Sequence, residues 1–251
     1  RINDLVEIQR AGDVIPQVIK VIKKSKNRNN KITFPKHCPT CGSPTIKEDD
    51  EAILRCTNLN DCKDQIIGQL IHFSSKKGLN IDGFGEKQIK QFYELKLIKK
   101  IDDIFSLHKY EKKIISLNGW GDLSFRNLIK AINNSKNIDL DKFIYSLGIR
   151  YIGETISKLL AKEFLDINKF LKNTSNKERL VLIDGLGPKA INSILNFFER
   201  KNNLITVNKL IKIIKVKNFK KINKLSFFTN KNIIFTGTLK KMSREESKYL
   251  A

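Results

Sequence analysis

The chain has 251 residues, more than one typical domain, and 40% of them are hydrophobic, so two or three modules with real cores are expected. Lys and Arg number 48 against 26 Asp and Glu, a net charge of +22, which points to a polyanionic partner, nucleic acid above all. No apolar run approaches the ~18–20 residues of a membrane span, and RINDLVEIQR lacks the basic, apolar, small-residue succession of a signal peptide. The expected compartment is therefore the cytosol, where thiols stay reduced.

In chain order, RINDLVEIQRAGDVIPQVIKVI alternates apolar and polar residues, breaks at Ala11-Gly12-Asp13 and resumes at Val14, which predicts the last strands of a β-barrel. The sequence has no starting Met and begins inside the first strand, so a preceding segment is expected. A solvated basic loop, KKSKNRNNK, follows. All four cysteines then fall in one short stretch: Cys38-x2-Cys41, fourteen residues, and Cys56-x5-Cys62. Tetrahedral thiolate coordination needs two tight knuckles joined by a short hairpin. Pro39 and Gly42 permit the first knuckle, and TIKEDDEAILRC supplies a hairpin with an acidic turn at residues 48–51. Two disulfides would need an oxidising compartment, and a catalytic Cys-x-x-Cys would not need a second close pair. The spacing therefore predicts a closed structural Zn²⁺ site on Cys38, Cys41, Cys56 and Cys62, with no position left for a catalytic water.

From residue 64 the apolar spacing turns helical, and a glycine hairpin recurs. It is NIDGFGEK around Gly83 and Gly85, LNGWGDLS around Gly119 and Gly121, IRYIGETI around Gly153, and IDGLGPKA around Gly185 and Gly187. The central residues Phe84, Trp120, Ile152 and Leu186 lie 36, 32 and 34 residues apart, an internal repeat of helix, hairpin and helix. Gly185-x-Gly187-x-x-Ala190 also satisfies a dinucleotide fingerprint, but its flanks are helical and no acidic residue follows at the right place. Tetratricopeptide repeats share the period but not the glycine pair. Free amides at a helix N-terminus form an anion site. Lys87 and Lys189 follow the second glycine of hairpins one and four, whereas Leu123 and Thr155 at that place suit packing more than binding.

Residues 206–229, with KLIKIIKVKNFKKINKL, suggest a helix and basic linker. The string NIIFTGTL predicts a short buried strand, and Ser243-Arg-Glu-Glu246 a capping box opening a helix. Some twenty residues cannot bury a core alone, so this last module is expected to be incomplete.

RAGDVIPQV, the four-cysteine clasp, the glycine hairpins with SLGIRYIGE, and IIFTGTLKKMSREE stand in an order that resembles the C-terminal half of bacterial NAD-dependent DNA ligase. The resemblance covers essentially the whole chain and implies a mainly α, multidomain protein. Residues 1–31 would end an oligonucleotide-binding (OB-fold) barrel, 32–63 form a four-cysteine zinc finger, and 64–205 a helix-hairpin-helix DNA-binding domain. Residues 206–229 would be linker and 230–251 the start of an α/β BRCT domain. It also implies Zn²⁺ on this chain, with NAD and Mg²⁺ bound by an N-terminal adenylation half, a nicked-duplex partner read without regard to sequence, and a cytoplasmic, nucleoid-associated setting. DNA binding would fall on Gly83, Gly85, Lys87, Gly119, Gly121, Gly153, Gly185, Gly187 and Lys189. The family's K-x-D-G lysine does not occur, since NIDG at 80–83 and LIDG at 182–185 belong to hairpins, so no catalytic residue is placed. The competing expectations are a free-standing hairpin and zinc-finger DNA-binding module, and a repair nuclease, for which no cluster of metal-binding carboxylates is evident.

Overall fold

A computed structural model describes residues 1–11, 15–48, 51–59 and 61–220, together with 233–234, 242–243 and 246–247. These fall into two compact units, Arg1–Gly68 and Gln69–Ala251.

In the first unit, β1 (Leu5–Ala11) and β2 (Ile15–Lys23) pair antiparallel, with register irregularities between Leu5 and Val6 and between Glu7 and Ile8. The alternation that predicts these strands places apolar residues on one face. Yet every described residue of β2 is exposed, Ile15, Val18, Ile19 and Ile22 included. A two-stranded ribbon has too little surface to cover its own apolar face. Asp4 fastens its base, accepting from the Ser25 amide at 3.0 Å and from the Arg28 guanidinium at 2.6 Å. Next come β3 (Thr45–Lys47) and β4 (Leu54–Cys56), antiparallel with Thr45 opposite Cys56. The expected acidic turn between them lies partly outside the described residues, as does the Gly12-Asp13 break. Helix α1 (Lys63–Ser74) follows directly on Cys62.

The second unit is helical: α2 (Glu86–Glu94), a 3-10 segment (Ile101–Tyr110), α3 (Glu111–Ile115), α4 (Asp122–Ser135), α5 (Leu140–Ser146) and α6 (Glu154–Phe164). The helices continue with α7 (Ile167–Asn173), α8 (Lys177–Val181), α9 (Pro188–Glu199) and α10 (Lys201–Ile213). Short helices of this length are marginal alone, and here each turns an apolar stripe inward. Phe73, Phe92, Phe143 and Phe170 are fully buried. Phe73 meets Phe105 edge-on, and Phe170 bridges Phe164 and Phe198 with ring centroids 5.9 Å apart on both sides. Helix α1 stops where Gly78 brings the chain back over it. The Leu79 amide bonds Phe73 O at 2.9 Å, and a Cβ on Gly78 would lie 2.6 Å from that same oxygen.

Residues 206–213 form helix, as expected there, whereas 214–217 are packed rather than linker. Together they complete α10 and form β6 (Lys215–Lys217), which pairs in parallel with β5 (Asn137–Asp139). The lysines dominate the composition, but the apolar residues between them decide the packing: Val207, Leu210 and Ile214 are buried. Lys209 reaches Asp102 at 3.1 Å, and the Phe219 amide bonds Leu165 O at 2.7 Å. At the far end, the Glu246 amide donates to Ser243 Oγ at 3.1 Å and the Ser243 amide to the Glu246 carboxylate at 2.7 Å, the reciprocal cap that the S-x-x-E spacing predicts. Most of the strand and helix expected in 230–251 lies outside the described residues, and the two strands of residues 1–31 do not by themselves establish a barrel.

Candidate metal centre and hairpin tips

The clasp is built by local backbone geometry in the first unit. The Cys38 amide bonds Ser43 O at 2.7 Å, and the Gly42 amide returns to Cys38 O at 2.8 Å, so residues 38–43 close a tight knuckle. Pairing of His37 with Pro44, and of Thr45 with Cys56 in the β3–β4 ladder, brings the second cysteine pair beside the first. Cys62 arrives on the residue before α1, and Thr40 Oγ1 donates to Asp64 Oδ2 of that helix at 2.5 Å.

The four sulfurs lie within 4.8 Å of one another and form no disulfide. Sγ of Cys41 and Cys56 are 3.4 Å apart, and those of Cys38 and Cys62 are 3.9 Å apart. A tetrahedron with zinc–sulfur bonds of about 2.3 Å has edges of about 3.8 Å. The donor set therefore fits a zinc ion, with all four positions filled by the chain.

The surroundings also fit bound thiolates. The Ser43 hydroxyl and amide, donating to Cys41, draw its thiol down to about 6. The amides of Cys41 and Thr40 lower Cys38. Desolvation pushes Cys56 up to about 12, although the Asn58 amide donates to its sulfur at 3.4 Å. The Gln65 amide pulls Cys62 down, but desolvation and the neighbouring thiols outweigh it and leave Cys62 raised. A metal cation favours the charged form of all four.

In the second unit the four hairpins are one device repeated. Each turn closes with an amide-to-carbonyl bond three residues back: Phe84 to Ile81, Trp120 to Leu117, Ile152 to Ile149 and Leu186 to Ile183, at 3.0–3.2 Å. Each following helix begins with a bond to the second glycine: Ile89 to Gly85, Phe125 to Gly121, Ser157 to Gly153 and Ile191 to Gly187. Phe84, Ile152 and Leu186 plug inward and are buried, and Trp120 is half-buried. The Trp120 ring stacks at 5.1 Å on Phe92, and its indole N–H donates to Gln91 at 3.0 Å, tying hairpin two to α2.

The two glycine positions do different work. The first lies in the left-handed region, with φ of +72° at Gly83, +82° at Gly119 and +83° at Gly185. Hairpin three has no first glycine in the sequence, and there Tyr151 occupies the position at φ +63°. Sequence reading missed Tyr151, and the signal that could have found it is its place in the repeat, 32 residues after Gly119 and 34 before Gly185. The second glycines have ordinary extended backbone, and a Cβ on Gly121, Gly153 or Gly187 would meet nothing within 4 Å. Neither conformation nor crowding asks for glycine at these N-caps.

What glycine supplies is the lack of a capping side chain. Helices α7 and α8, whose N-termini do not follow a glycine hairpin, start at Asp166 and Asn176, whose side chains accept from the Lys169 and Arg179 amides. The glycine N-caps of α2, α4, α6 and α9 supply no such acceptor, and only at α4 does another side chain step in, the Ser124 hydroxyl accepting from the Gly121 amide at 2.9 Å. Helix N-terminal amides left this way form an anion site. Lys87 and Lys189 are exposed in the first turns of α2 and α9. Thr155 is exposed too, and Leu123 is 73% exposed, so these side chains do not pack within the chain as the sequence suggested.

A four-thiolate clasp and repeated uncapped glycine hairpins define a zinc-finger and helix-hairpin-helix protein. Residues 37–63 match the NAD-dependent DNA ligase C4 zinc finger domain, and residues 142–207 the helix-hairpin-helix motif. The chain is 43% identical to the DNA ligase of Ehrlichia canis and 43% identical to that of Pelagibacter ubique, over 99% and 100% of its length and 38% of each ligase. It is also 43% identical to the DNA ligase of Sulfurihydrogenibium azorense, over 99% of its length and 35% of that protein. Along essentially its whole length the chain is thus similar to one portion of NAD-dependent DNA ligases, and it spans under two-fifths of the length of these curated relatives.

Proposed function

We propose that this chain is the DNA-gripping C-terminal portion of an NAD-dependent DNA ligase that seals 5′-phosphate/3′-hydroxyl nicks in duplex DNA during replication and repair. The observation that carries this reading is the fourfold hairpin whose helices all begin on glycine N-caps, with no capping side chain at α2, α6 and α9. Amides and lysines meet phosphates, not base edges, so the grip is independent of sequence. The glycines at 83, 85, 119, 121, 153, 185 and 187, with Lys87 and Lys189, are the proposed contacts. Zn²⁺ on Cys38, Cys41, Cys56 and Cys62 fixes the clasp and takes no part in the chemistry, because no ligand position is open.

In this reading residues 1–31 complete a barrel with a segment outside this sequence, which would cover the exposed apolar residues of β2. Residues 32–63 are the zinc module, 64–205 the hairpin domain, 206–229 the connection and 230–251 the BRCT start. NAD, Mg²⁺ and the adenylated lysine belong to the remainder of the ligase. This portion contributes position: holding reacting groups in register is worth up to ~7–11 kcal/mol of barrier. No described helix is long and apolar enough to cross a membrane, in keeping with a proposed cytoplasmic, nucleoid-associated setting.

The test is a singly nicked duplex with labelled NAD. The chain alone is expected to bind duplexes of unrelated sequence equally, with log affinity falling by about 0.9 per phosphate per decade of salt. It should acquire no AMP. Adding the family's adenylation half should restore sealing. Sequence-selective binding would overturn the reading. Intact DNA binding with no sealing by the reconstituted pair would favour a free-standing binding module.

A further inference from the structure

Hairpin three departs from the other three at one residue. Where they place glycine at the left-handed turn position, it places Tyr151, with φ +63°. A bulky L-residue is strained there, and glycine would fit without strain. The tyrosine is not retained as a core anchor, since the core plug of this hairpin is the neighbouring Ile152, at 4% exposure against 36% for Tyr151. Two cations instead lie against its ring. The Arg150 guanidinium carbon lies 4.7 Å from the ring centroid, and Lys189 Nζ lies 5.9 Å from it. Arg150 belongs to hairpin three and its Nε and Nη2 are buried, whereas Lys189 is exposed and comes from the first turn of α9 in hairpin four. Both hairpins fall in the stretch that matches the helix-hairpin-helix motif.

We infer that Tyr151 is a positioning residue for DNA binding: its ring, with the Arg150 guanidinium against it, holds the exposed Lys189 beside hairpin three, so that hairpins three and four meet the same stretch of duplex phosphodiester backbone. The inference rests on the proposed DNA grip. A cation is attracted to an aromatic face. A lysine otherwise loses most of its rotamer freedom on meeting a phosphate, and a side chain already restrained loses less. Strain held at one residue thus stands against a tighter grip at another. This also gives hairpin three a binding role, although Thr155 occupies the place where hairpins one and four carry lysine.

The test compares wild type with Tyr151→Ala, Tyr151→Gly and Tyr151→Phe in the whole chain, by anisotropy on a labelled duplex between about 50 and 200 mM salt, beside thermal unfolding. Ala and Gly should weaken binding by about 5- to 10-fold and make the salt slope shallower by about one phosphate, while Phe stays within about twofold. The unfolding midpoint of Tyr151→Gly should not fall below wild type. A double-mutant cycle with Lys189→Ala should show coupling, the lysine's effect shrinking by about threefold or more once the ring is gone. Unchanged affinity and slope, full additivity with Lys189→Ala, Phe behaving like Ala, or affinity loss that tracks a lowered midpoint would each overturn the inference. Wild type failing to bind any duplex would overturn the proposed grip itself, and the inference with it, a result separable from variant effects.

Discussion

Glycines that look alike in the sequence are held by different physics. Gly78 is fixed by crowding, because a Cβ would press on the carbonyl oxygens of Phe73 and His72 at 2.6 and 2.8 Å. Gly78→Ala should cost about 1–3 kcal/mol in urea unfolding, as overpacking does, since backbone atoms rather than a flexible side chain would have to give way. Gly187 is the opposite case, with open space and an extended backbone. Gly187→Asp should supply the missing cap and leave stability equal or higher by a few tenths of a kcal/mol. The same carboxylate would occupy the anion site, so duplex affinity should fall by about tenfold or more. An anisotropy titration paired with a thermal melt checks both halves. A parallel loss of stability and affinity would show that this glycine serves folding alone.

At the scale of elements, two helices outside the glycine hairpins are closed by their own N-cap side chains. Asp166 opens α7 by accepting from the Lys169 amide at 2.9 Å. That hydrogen bond, with a further contribution from the Lys169 ammonium, holds its carboxyl below the usual carboxylate range despite some desolvation. A depressed folded-state pKa gives stability that is present above the unfolded value near 3.8 and lost as pH falls through the folded value. Asp166→Ala should therefore cost about 0.5–2 kcal/mol at neutral pH and progressively less below about pH 4, in urea melts across pH. Much of this level was legible in the sequence. The cysteine spacing, the repeat period and the S-x-x-E cap each involve residues close in the chain, where geometry follows from type. The β5–β6 pair was not legible, because Asn137 and Lys215 are distant in sequence and three-residue strands carry no usable periodicity. In 206–217 the helix was legible, but the many lysines masked the burial of Val207, Leu210 and Ile214. Tyr151 escaped because glycine is what marks such a turn in a sequence, whereas the turn itself asks only for a backbone angle.

For the molecule as a whole, the two units draw on different sources of order. The first has few buried apolar residues beyond Cys38, Cys62 and Ile67, and the second carries the phenylalanine core. Metal binding worth on the order of 10–16 kcal/mol in small zinc modules would dominate the first. A chelator, or Cys41→Ser, should therefore abolish amide protection across residues 38–62 while the amides of Phe143 and Phe170 stay protected, as hydrogen exchange would record. Loss of protection in both places would mean that the clasp supports the whole chain. The parallel pairing of β5 with β6 has a consequence for how the molecule is made. Asn137–Asp139 cannot find its partner until Lys215–Lys217 has left the ribosome, by which time the whole of residues 140–214 has been synthesised. Closing so long a loop is favourable only after the intervening helices have compacted it. The fourth hairpin is thus fastened last, and a nascent chain halted before Lys215 would carry hairpins without the strand that ties them off.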